Sequence, residues 1–531
     1  MEALMLTLIF LPFLWGLLIF LVDRVGFTRT VFGEQVLLGV LVFLLLRQGE
    51  VSLVLGGWPE GIGIELASGG FGQLFLIMTA VAFMYVYSYL WHQHQEDHKL
   101  FLFLGMLQGA LYALYLTRDL FTMYLMIEVV TILASILILY ERDAVSVRAG
   151  LYYLIFNSVG MLIFLIGVIA LYTEVGTLNL TGIHAWFGAE AAAGVALSVR
   201  ARFALACFMT TFAVKTASFP VGGWLPVAHG YAPSFISALL SGLVVKSGLF
   251  LYINVIAPFG SSMVYGITLV LGLCAALYGV ARAMFQTDIK RMLAFHTVSQ
   301  VGLMVIGLAM YLADGGLGGM VHAFNHFMFK SLLFLTAGAL ARMYGTRNLT
   351  RIHGVMRSNP FLGVAVLVGV LAISGAPWMI GSVGKTLIKY SVAGGPLTPG
   401  VVRLVTLALT FINLGTAVSF SKWIAMLFGP KEKEMKLFGG KAFAIGLMSV
   451  LVVVLYPLEV VSLGLDPLYK LSSEVLTYLS YMGAALLVYW FLLKDKPPWA
   501  VRLGRFVPDV EMAFFGMLVL IGGLHWLLVL G

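Results

Sequence analysis

Apolar runs of about twenty residues recur along almost the whole chain, and about twenty is the length a helix needs to cross a hydrocarbon core roughly 30 Å thick. Sixteen runs emerge between polar or Gly/Pro clusters: 4–22, 30–46, 70–91, 100–117, 119–140, 149–173, 203–222, 232–257, 263–285, 292–312, 317–341, 360–390, 401–428, 442–463, 474–493 and 511–530. Lipid offers the backbone no hydrogen-bond partners, so segments of this length are helices. The expected fold is an all-α polytopic membrane protein with about 16 transmembrane helices. Composition leaves no soluble alternative. Only 11% of the 531 residues are Asp, Glu, Lys or Arg, less than half the roughly 25% of soluble domains. The first run opens on Glu2, is followed by positive charge and shows no small-residue cleavage site, so it reads as a retained helix.

Alternating the direction of successive spans sorts the 32 Lys and Arg residues into two sets of loops. One set holds 21, among them Arg24, Arg29, Arg142, Arg148, Lys290, Arg291, Arg347, Lys433, Lys436, Lys494, Lys496, Arg502 and Arg505. The other holds six: Arg47, Arg118, Arg200, Arg202, Arg403 and Lys470. By the positive-inside rule the larger set is cytoplasmic. Both termini then lie on the outer face of a prokaryotic inner (plasma) membrane, and the net charge of +8 is a topology signal rather than a nucleic-acid surface. Cys207 and Cys274 both lie within apolar runs, which excludes a disulfide framework and a CxxC metal site. With no P-loop, haem signature or dinucleotide fingerprint either, no cofactor is expected.

Five lysines remain inside spans: Lys215, Lys246, Lys330, Lys385 and Lys389. A lysine at the centre of a membrane helix costs roughly 2.5 to 3.5 kcal/mol on insertion scales, so a deep one is read as functional. Lys389, and Lys422 near the end of another span, are close enough to the interface to snorkel and read as structural. Glu128 reads as the one acidic residue well inside a span, and the deep lysines are the cations at its depth. Lys215 lies in FAVKTASFPVGGWLPVAH, where Pro220 and the Gly222, Gly223 pair interrupt a helix. Lys385 repeats the combination in SGAPWMIGSVGKTLIKYS, with Pro377 and neighbouring glycines. Broken helices at bilayer depth are tolerated where they pack in protein or line a wet cavity, so each break and its lysine belong to one polar site. Two such helices are what two structural repeats would produce.

Lys246 stands fourteen residues into an otherwise apolar run, and His322, His326 and Lys330 follow one another at i, i+4 and i+8. That spacing stacks them along one helix face. It suits a proton relay, because imidazole titrates near neutrality and a desolvated lysine can be brought toward it. With no intervening Glu and no third ligand, the histidine pair is not read as a zinc site. His92, His94 and His98 are assigned to a solvated cytoplasmic loop.

The stretch from about 100 to 430 resembles the antiporter-like membrane subunits shared by respiratory complex I, membrane-bound hydrogenases and the multisubunit Mrp sodium/proton antiporters. The resemblance is carried by DLFTMYLMIE, KTASFPVGGWLPVAHGYAPSFISALLSGLVVKSG, DIKRMLAFHTVSQVGLMVIGL and HAFNHFMFKSLLFLTAGAL, in this order and spacing. It implies two inverted five-helix repeats, spans four to eight and nine to thirteen, each with a broken helix. The implied domains are residues 1–99, 100–258 and 259–430, with 431–531 as C-terminal helices 14 to 16. By motif, Glu128 matches the family's fifth-helix glutamate and Lys215 the seventh-helix lysine paired with it. Lys246 matches the eighth-helix lysine, His322, His326 and Lys330 the eleventh-helix positions, and Lys385 the twelfth-helix terminal residue. Three features depart from the pattern. Val227 stands where many members have Asp in WLPDAH, the second break reads SGAPWMIGSVGK rather than carrying paired prolines, and the chain runs about two helices beyond the common fourteen, with RFVPDVEMAFFGMLVLIGG near its end.

The resemblance implies an ion-translocating subunit, carrying protons or exchanging them for sodium, within a hetero-oligomeric complex of other membrane subunits. Its relay is Glu128, Lys215, Lys246, His322, His326, Lys330 and Lys385, and any redox chemistry belongs to partners. The alternative reading is a stand-alone or two-component secondary transporter for cations or inorganic carbon.

Overall fold

A computed structural model describes residues 2–22, 30–59, 62–91, 97–431, 437, 439–465, 471–493 and 510–529. Arg24, Arg29, His92, His94, Lys433, Lys436, Lys470, Lys494, Lys496, Arg502 and Arg505 lie outside the described residues. In chain order the elements are α1 (Glu2–Val22), α2 (Thr30–Arg47), β1 (Val51–Val54), β2 (Glu65–Ser68), α3 (Phe71–Leu90), α4 (His98–Leu116), α5 (Leu120–Ile138), α6 (Ala144–Val175), α7 (Leu180–Ala192) and α8 (Val199–Lys215). They continue with α9 (Trp224–Tyr231), α10 (Ser234–Gly242), α11 (Ser247–Leu251), α12 (Ser262–Met284), α13 (Ile289–Asp314), α14 (Gly318–Tyr344), α15 (Pro360–Ser374), α16 (Ile380–Gly394), α17 (Pro399–Leu427), α18 (Gly440–Ser462), α19 (Leu471–Val488) and α20 (Val510–Val529).

Eleven helical segments among the described residues are long and apolar enough to cross a membrane, and Pro360–Ser374, Val475–Phe491 and Phe514–Leu528 are shorter apolar helices. The protein is an integral, polytopic, helical membrane protein. The expectation of an all-α chain meets one exception. β1 and β2 pair antiparallel with Val51 opposite Ser68, in a stretch between spans, where strand-to-strand pairing is not required to close into a barrel.

Local chemistry sets the helix ends. Asp119 accepts from Thr122 N at 2.6 Å, Asn179 from Gly182 N at 3.1 Å, Ser198 from Ala201 N at 3.1 Å, and Asp288 from the Lys290 and Arg291 nitrogens at 3.0 Å. Each satisfies an amide that has no partner within its helix. Gly176, Gly315, Gly345 and Gly375 end helices in the left-handed conformation, which glycine adopts without a Cβ clash.

The chain forms two compact units. The first comprises Met1–Thr216, Leu243–Ser261 and Val510–Gly531. Within it α1 crosses α4 closely because small residues line the crossing: a Cβ on Gly105 would stand 2.3 Å from Pro12 O, and one on Gly109 2.5 Å from Ile9 O. Such close approach is how membrane helices gain packing without a hydrophobic drive. Gln35 and Gln108 exchange amide hydrogen bonds of 3.0 and 2.9 Å between α2 and α4. The last helix, α20, packs on α8, with Phe514 edge-on to Phe156 at 5.3 Å. α7 falls between two apolar runs and buries Leu180, Ile183 and Phe187 along one face.

The second unit comprises Ala217–Gly242 and Ser262–Asp509. Its α12–α13 crossing is glycine-lined, with a Cβ on Gly279 falling 2.4 Å from Ser299 N and one on Gly302 2.4 Å from Ala276 N. α14 is buried along most of its length and packs against α10, α13, α15, α16 and α18.

Candidate functional site

The first unit holds Glu128, Lys215 and Lys246. Glu128 sits mid-way along α5, half-buried, and Ser158 of α6 donates a hydrogen bond to its Oε1. Lys215 is the last residue of α8 and is 5% exposed. Its Nζ donates to Thr131 Oγ1 at 2.7 Å. Thr131 lies three residues after Glu128, so both project from one face of α5. The carboxylate therefore lies within electrostatic reach of the ammonium, whose hydrogen bond goes to the threonine hydroxyl. Lys215 and Glu128 are thus neighbours along α5, each held by a different hydroxyl, Lys215 by Thr131 and Glu128 by Ser158, while the Thr131 hydroxyl donates to the Ile127 carbonyl at 2.8 Å.

Lys246 is fully buried, in a short tight turn, Val244–Lys246, between α10 and α11. The distortion follows Leu243, whose φ of −129° leaves the helical region. Next to it, a Cβ on Gly248 would stand 3.1 Å from Lys215 Cβ and 2.8 Å from Thr216 Cγ2. Glycine at 248 thus lets the Lys246 segment approach the end of α8. A π-helical turn, Tyr252–Ile256, follows, a geometry that collects at functional sites.

In the second unit His322, His326 and Lys330 all lie on α14 and are fully buried. His322 Nε2 meets Gln300 Oε1 of α13 at 3.1 Å. His326 packs edge-on against Phe329 at 5.4 Å. Lys330 Nζ donates to the Leu293 carbonyl and lies 5.7 Å from the centre of the Phe334 ring.

Both expected helix breaks are present as changes of conformation. α8 ends at Lys215, Ala217 takes a φ of 50°, and the chain is helical again from Trp224. A Cβ on Gly222 would fall 2.1 Å from the Ala217 carbonyl oxygen, so only glycine fits that return. α15 ends at Ser374, Gly375 and Trp378 take φ of 79° and 62°, and α16 begins at Ile380. Lys385 of α16 folds back so that Nζ donates to the Ile373 carbonyl at 2.7 Å. That oxygen belongs to the free C-terminal end of α15, where the helix dipole favours a cation. Lys385 and Lys389 line a partly open cavity of about 390 Å³ together with Ser374, Thr410, Asn413 and Tyr478.

Several residues not singled out in the sequence belong to these surroundings. His296 is fully buried on α13, one turn before Gln300, stacked obliquely on Phe420 at 4.8 Å and within electrostatic reach of Lys330, Lys422 and Lys385. His229 of α9 is buried and stacks on Phe334 at 5.0 Å. Glu34 and Glu459 are further acidic residues inside helices, each about one turn from an end of α2 or α18, whereas Glu128 stands mid-helix. The i, i+4 spacing of His296 and Gln300 in HTVSQ was the available signal for the first of these. Lys422, expected to snorkel, is instead 7% exposed and donates to the Gln286 carbonyl at 2.8 Å and to the Met284 carbonyl. It caps the C-terminal end of α12, which attracts a cation more strongly than the interface does at that depth. His98 opens α4, and Val227 is half-buried in α9.

Residues 117–410 match the family profile described as "NADH:quinone oxidoreductase/Mrp antiporter, TM". A Na(+)/H(+) antiporter subunit of Alkalihalophilus pseudofirmus is 28% identical over 78% of this chain and 87% of its own length. Hydrogenase-4 component B of Escherichia coli is 32% identical over 53% of this chain and 43% of its own. Among solved structures, a chain of the archaeal membrane-bound sulfane sulfur reductase superposes with a TM-score of 0.77 at 22% identity, covering 91% of this chain and 99% of that one. A chain of the Mrp complex from Dietzia sp. gives 0.75 at 20% identity, covering 94% and 99%.

Proposed function

Because the chain belongs to the NADH:quinone oxidoreductase/Mrp antiporter transmembrane family, we propose that it is an ion-translocating subunit of a multisubunit membrane complex, moving protons, alone or in exchange for sodium. The observation that carries this reading is Lys215: a lysine 5% exposed, at a helix end, on a hydroxyl one turn from a membrane glutamate. Burying an ammonium costs several kcal/mol unless its surroundings answer for it. When Glu128 is drawn away by a charge change in a neighbouring subunit, Lys215 loses electrostatic support and its proton moves on. Lys246 takes it next, then His322, His326 and Lys330, and Lys385 delivers it. Redox centres, where the complex has them, belong to partner subunits.

The membrane is a prokaryotic plasma membrane with both termini outside. Its spans number sixteen, counting α8–α9 and α15–α16 each as one discontinuous span. The domains are 1–99, 100–258, 259–430 and 431–531, the middle two being inverted repeats. Two matching backbone bridges support the repeats: Asp119 with Asn179, and Asp288 with Asn348. In each pair the first residue caps a long helix, and the basic residues around the two pairs, Arg118 in one case and Lys290 and Arg291 in the other, fall into opposite charge sets.

Lys215→Ala and Lys246→Ala in the intact complex, assayed for ion-coupled transport in vesicles, test the relay. Loss of coupled transport in both is expected. Full transport by both variants would sink it. Affinity purification from membranes tests the assembly: partner subunits co-purify, whereas isolation of an active single chain would favour a stand-alone transporter.

A further inference from the structure

One wall of the cavity beside Lys385 is α19. Thr477, Tyr478, Tyr481 and Met482 of α19 line it, and their spacing places them on one helix face. α19 is held there by packing on α17, where Met482 and Ala485 are buried with Ala417 and Val418. Tyr478 reaches the helix break itself: its hydroxyl lies 2.8 Å from Ser374 Oγ. Ser374 spends its single proton on the Val370 carbonyl at 2.7 Å, so Tyr478 is the donor. The residue before Ser374 is Ile373, whose carbonyl receives the Lys385 ammonium. The tyrosine and the lysine thus grip adjacent residues at the C-terminal end of α15.

We infer that Tyr478 of α19 is the latch of an aqueous vestibule on Lys385, holding the partly open cavity in its narrower state when bonded to Ser374 and widening it to water or a hydrated cation when released. The cavity of about 390 Å³ has room for about a dozen waters at the liquid share of roughly 30 Å³ each. Its walls supply hydroxyls and the Asn413 side chain. Release breaks one neutral hydrogen bond and frees the ring of Tyr478 to move away from the end of α15. The role of the vestibule in ion passage rests on the reading of Lys385 given above; the latch geometry does not.

The test uses the intact complex in membranes, with Cys207→Ser, Cys274→Ser and Thr386→Cys, Thr386 being a cavity residue adjacent to Lys385. The rate of labelling by a membrane-impermeant maleimide, applied to right-side-out and to inverted vesicles, reports access. Tyr478→Phe removes only the hydroxyl, and labelling from one face is expected to rise about five-fold, the equivalent of one ordinary hydrogen bond. Tyr478→Ala is expected to raise it further, and Tyr478→Phe carries the test should the alanine variant fail to assemble. Labelling unchanged by Tyr478→Phe in an assembled complex overturns the latch. Lys385→Ala separates the two ideas: full transport by that variant with latch-dependent labelling retained would refute the ion-path reading and leave the latch standing.

Discussion

Gly384→Ala is the sharpest probe of how the second unit holds its histidines. Gly384 stands on α16 next to Lys385, and an added Cβ would fall 2.6 Å from His322 Cα, 2.7 Å from its Cβ and 2.8 Å from its backbone nitrogen. Carbon atoms rest about 3.5 to 4.0 Å apart, so α14 and α16 must separate by about 1 Å. The contacts are two backbone atoms and the Cβ of a buried helix residue, none of which is a flexible end that can give. Overpacking of this kind costs about 1 to 3 kcal/mol. A shift of that size also carries His322 Nε2 from its 3.1 Å contact with Gln300 Oε1 past hydrogen-bonding range, adding about 1 kcal/mol. The expected destabilisation is about 2 to 4 kcal/mol. If His322 passes protons, a misplacement of about 1 Å lowers the coupled rate by about 100-fold. The assay pairs thermal unfolding of the purified complex with ion-coupled transport in vesicles. Gly394→Ala, at the other end of α16 where nothing lies within 4 Å of the new Cβ, is the control and should behave as wild type. Wild-type stability and transport in the Gly384→Ala complex would refute the reasoning.

Three other outcomes follow from single contacts. Thr131→Val removes the acceptor of the Lys215 ammonium while keeping its shape; a hydrogen bond to a charged group is worth about 1.5 to 3 kcal/mol, so coupled transport should fall about ten-fold or more, and Thr131→Ser should restore it. Lys422→Met leaves the Gln286 and Met284 carbonyls without their donor, and should lower stability by about 1 to 2 kcal/mol with the unfolding midpoint as the readout; no change would show that water replaces the cap. Asp143 precedes α6 outside the spans, and hydrogen bonds from the Ser146 backbone and hydroxyl hold its carboxyl below the ordinary value of 3.8. A carboxyl depressed in the folded state stabilises above its unfolded value and ceases to do so as pH falls through the folded one. Asp143→Ala should therefore lower the midpoint at neutral pH, with the difference from wild type closing as pH drops below 3.8; a difference that persists unchanged into acid would refute the cap.

Much of the candidate site was legible because the membrane makes charge conspicuous. Lys215, Lys246, Lys330 and Lys385 stand out in apolar runs, and both breaks announced themselves through Pro220, Gly222 and Pro377. His296 and His229 were not distinguished because a histidine raises no alarm in a chain unless its neighbours in space are known. Lys422 was misjudged for a related reason. Distance from a span end is visible in sequence, but the helix terminus that captures the ammonium belongs to α12, more than a hundred residues earlier. The hairpin of β1 and β2 escaped notice because its strands are four residues long and lie between spans, beyond the reach of the hydropathy argument.

Residue order alone settles the helical membrane class, the positions of the breaks and the identity of the buried cations, since each follows from the local cost of placing a polar group in lipid. What each charge rests on is settled by packing: Lys215 on Thr131 rather than on Glu128, Lys385 on the Ile373 carbonyl, and Tyr478 of α19 on Ser374. Packing also returns the final helix to α8 and divides the chain into units that are not contiguous in sequence. Transfer energies act residue by residue and can be read along a chain. Hydrogen-bond partners are chosen between helices far apart in sequence, where glycines such as Gly248 and Gly384 set how closely two backbones approach, and that choice exists only in three dimensions.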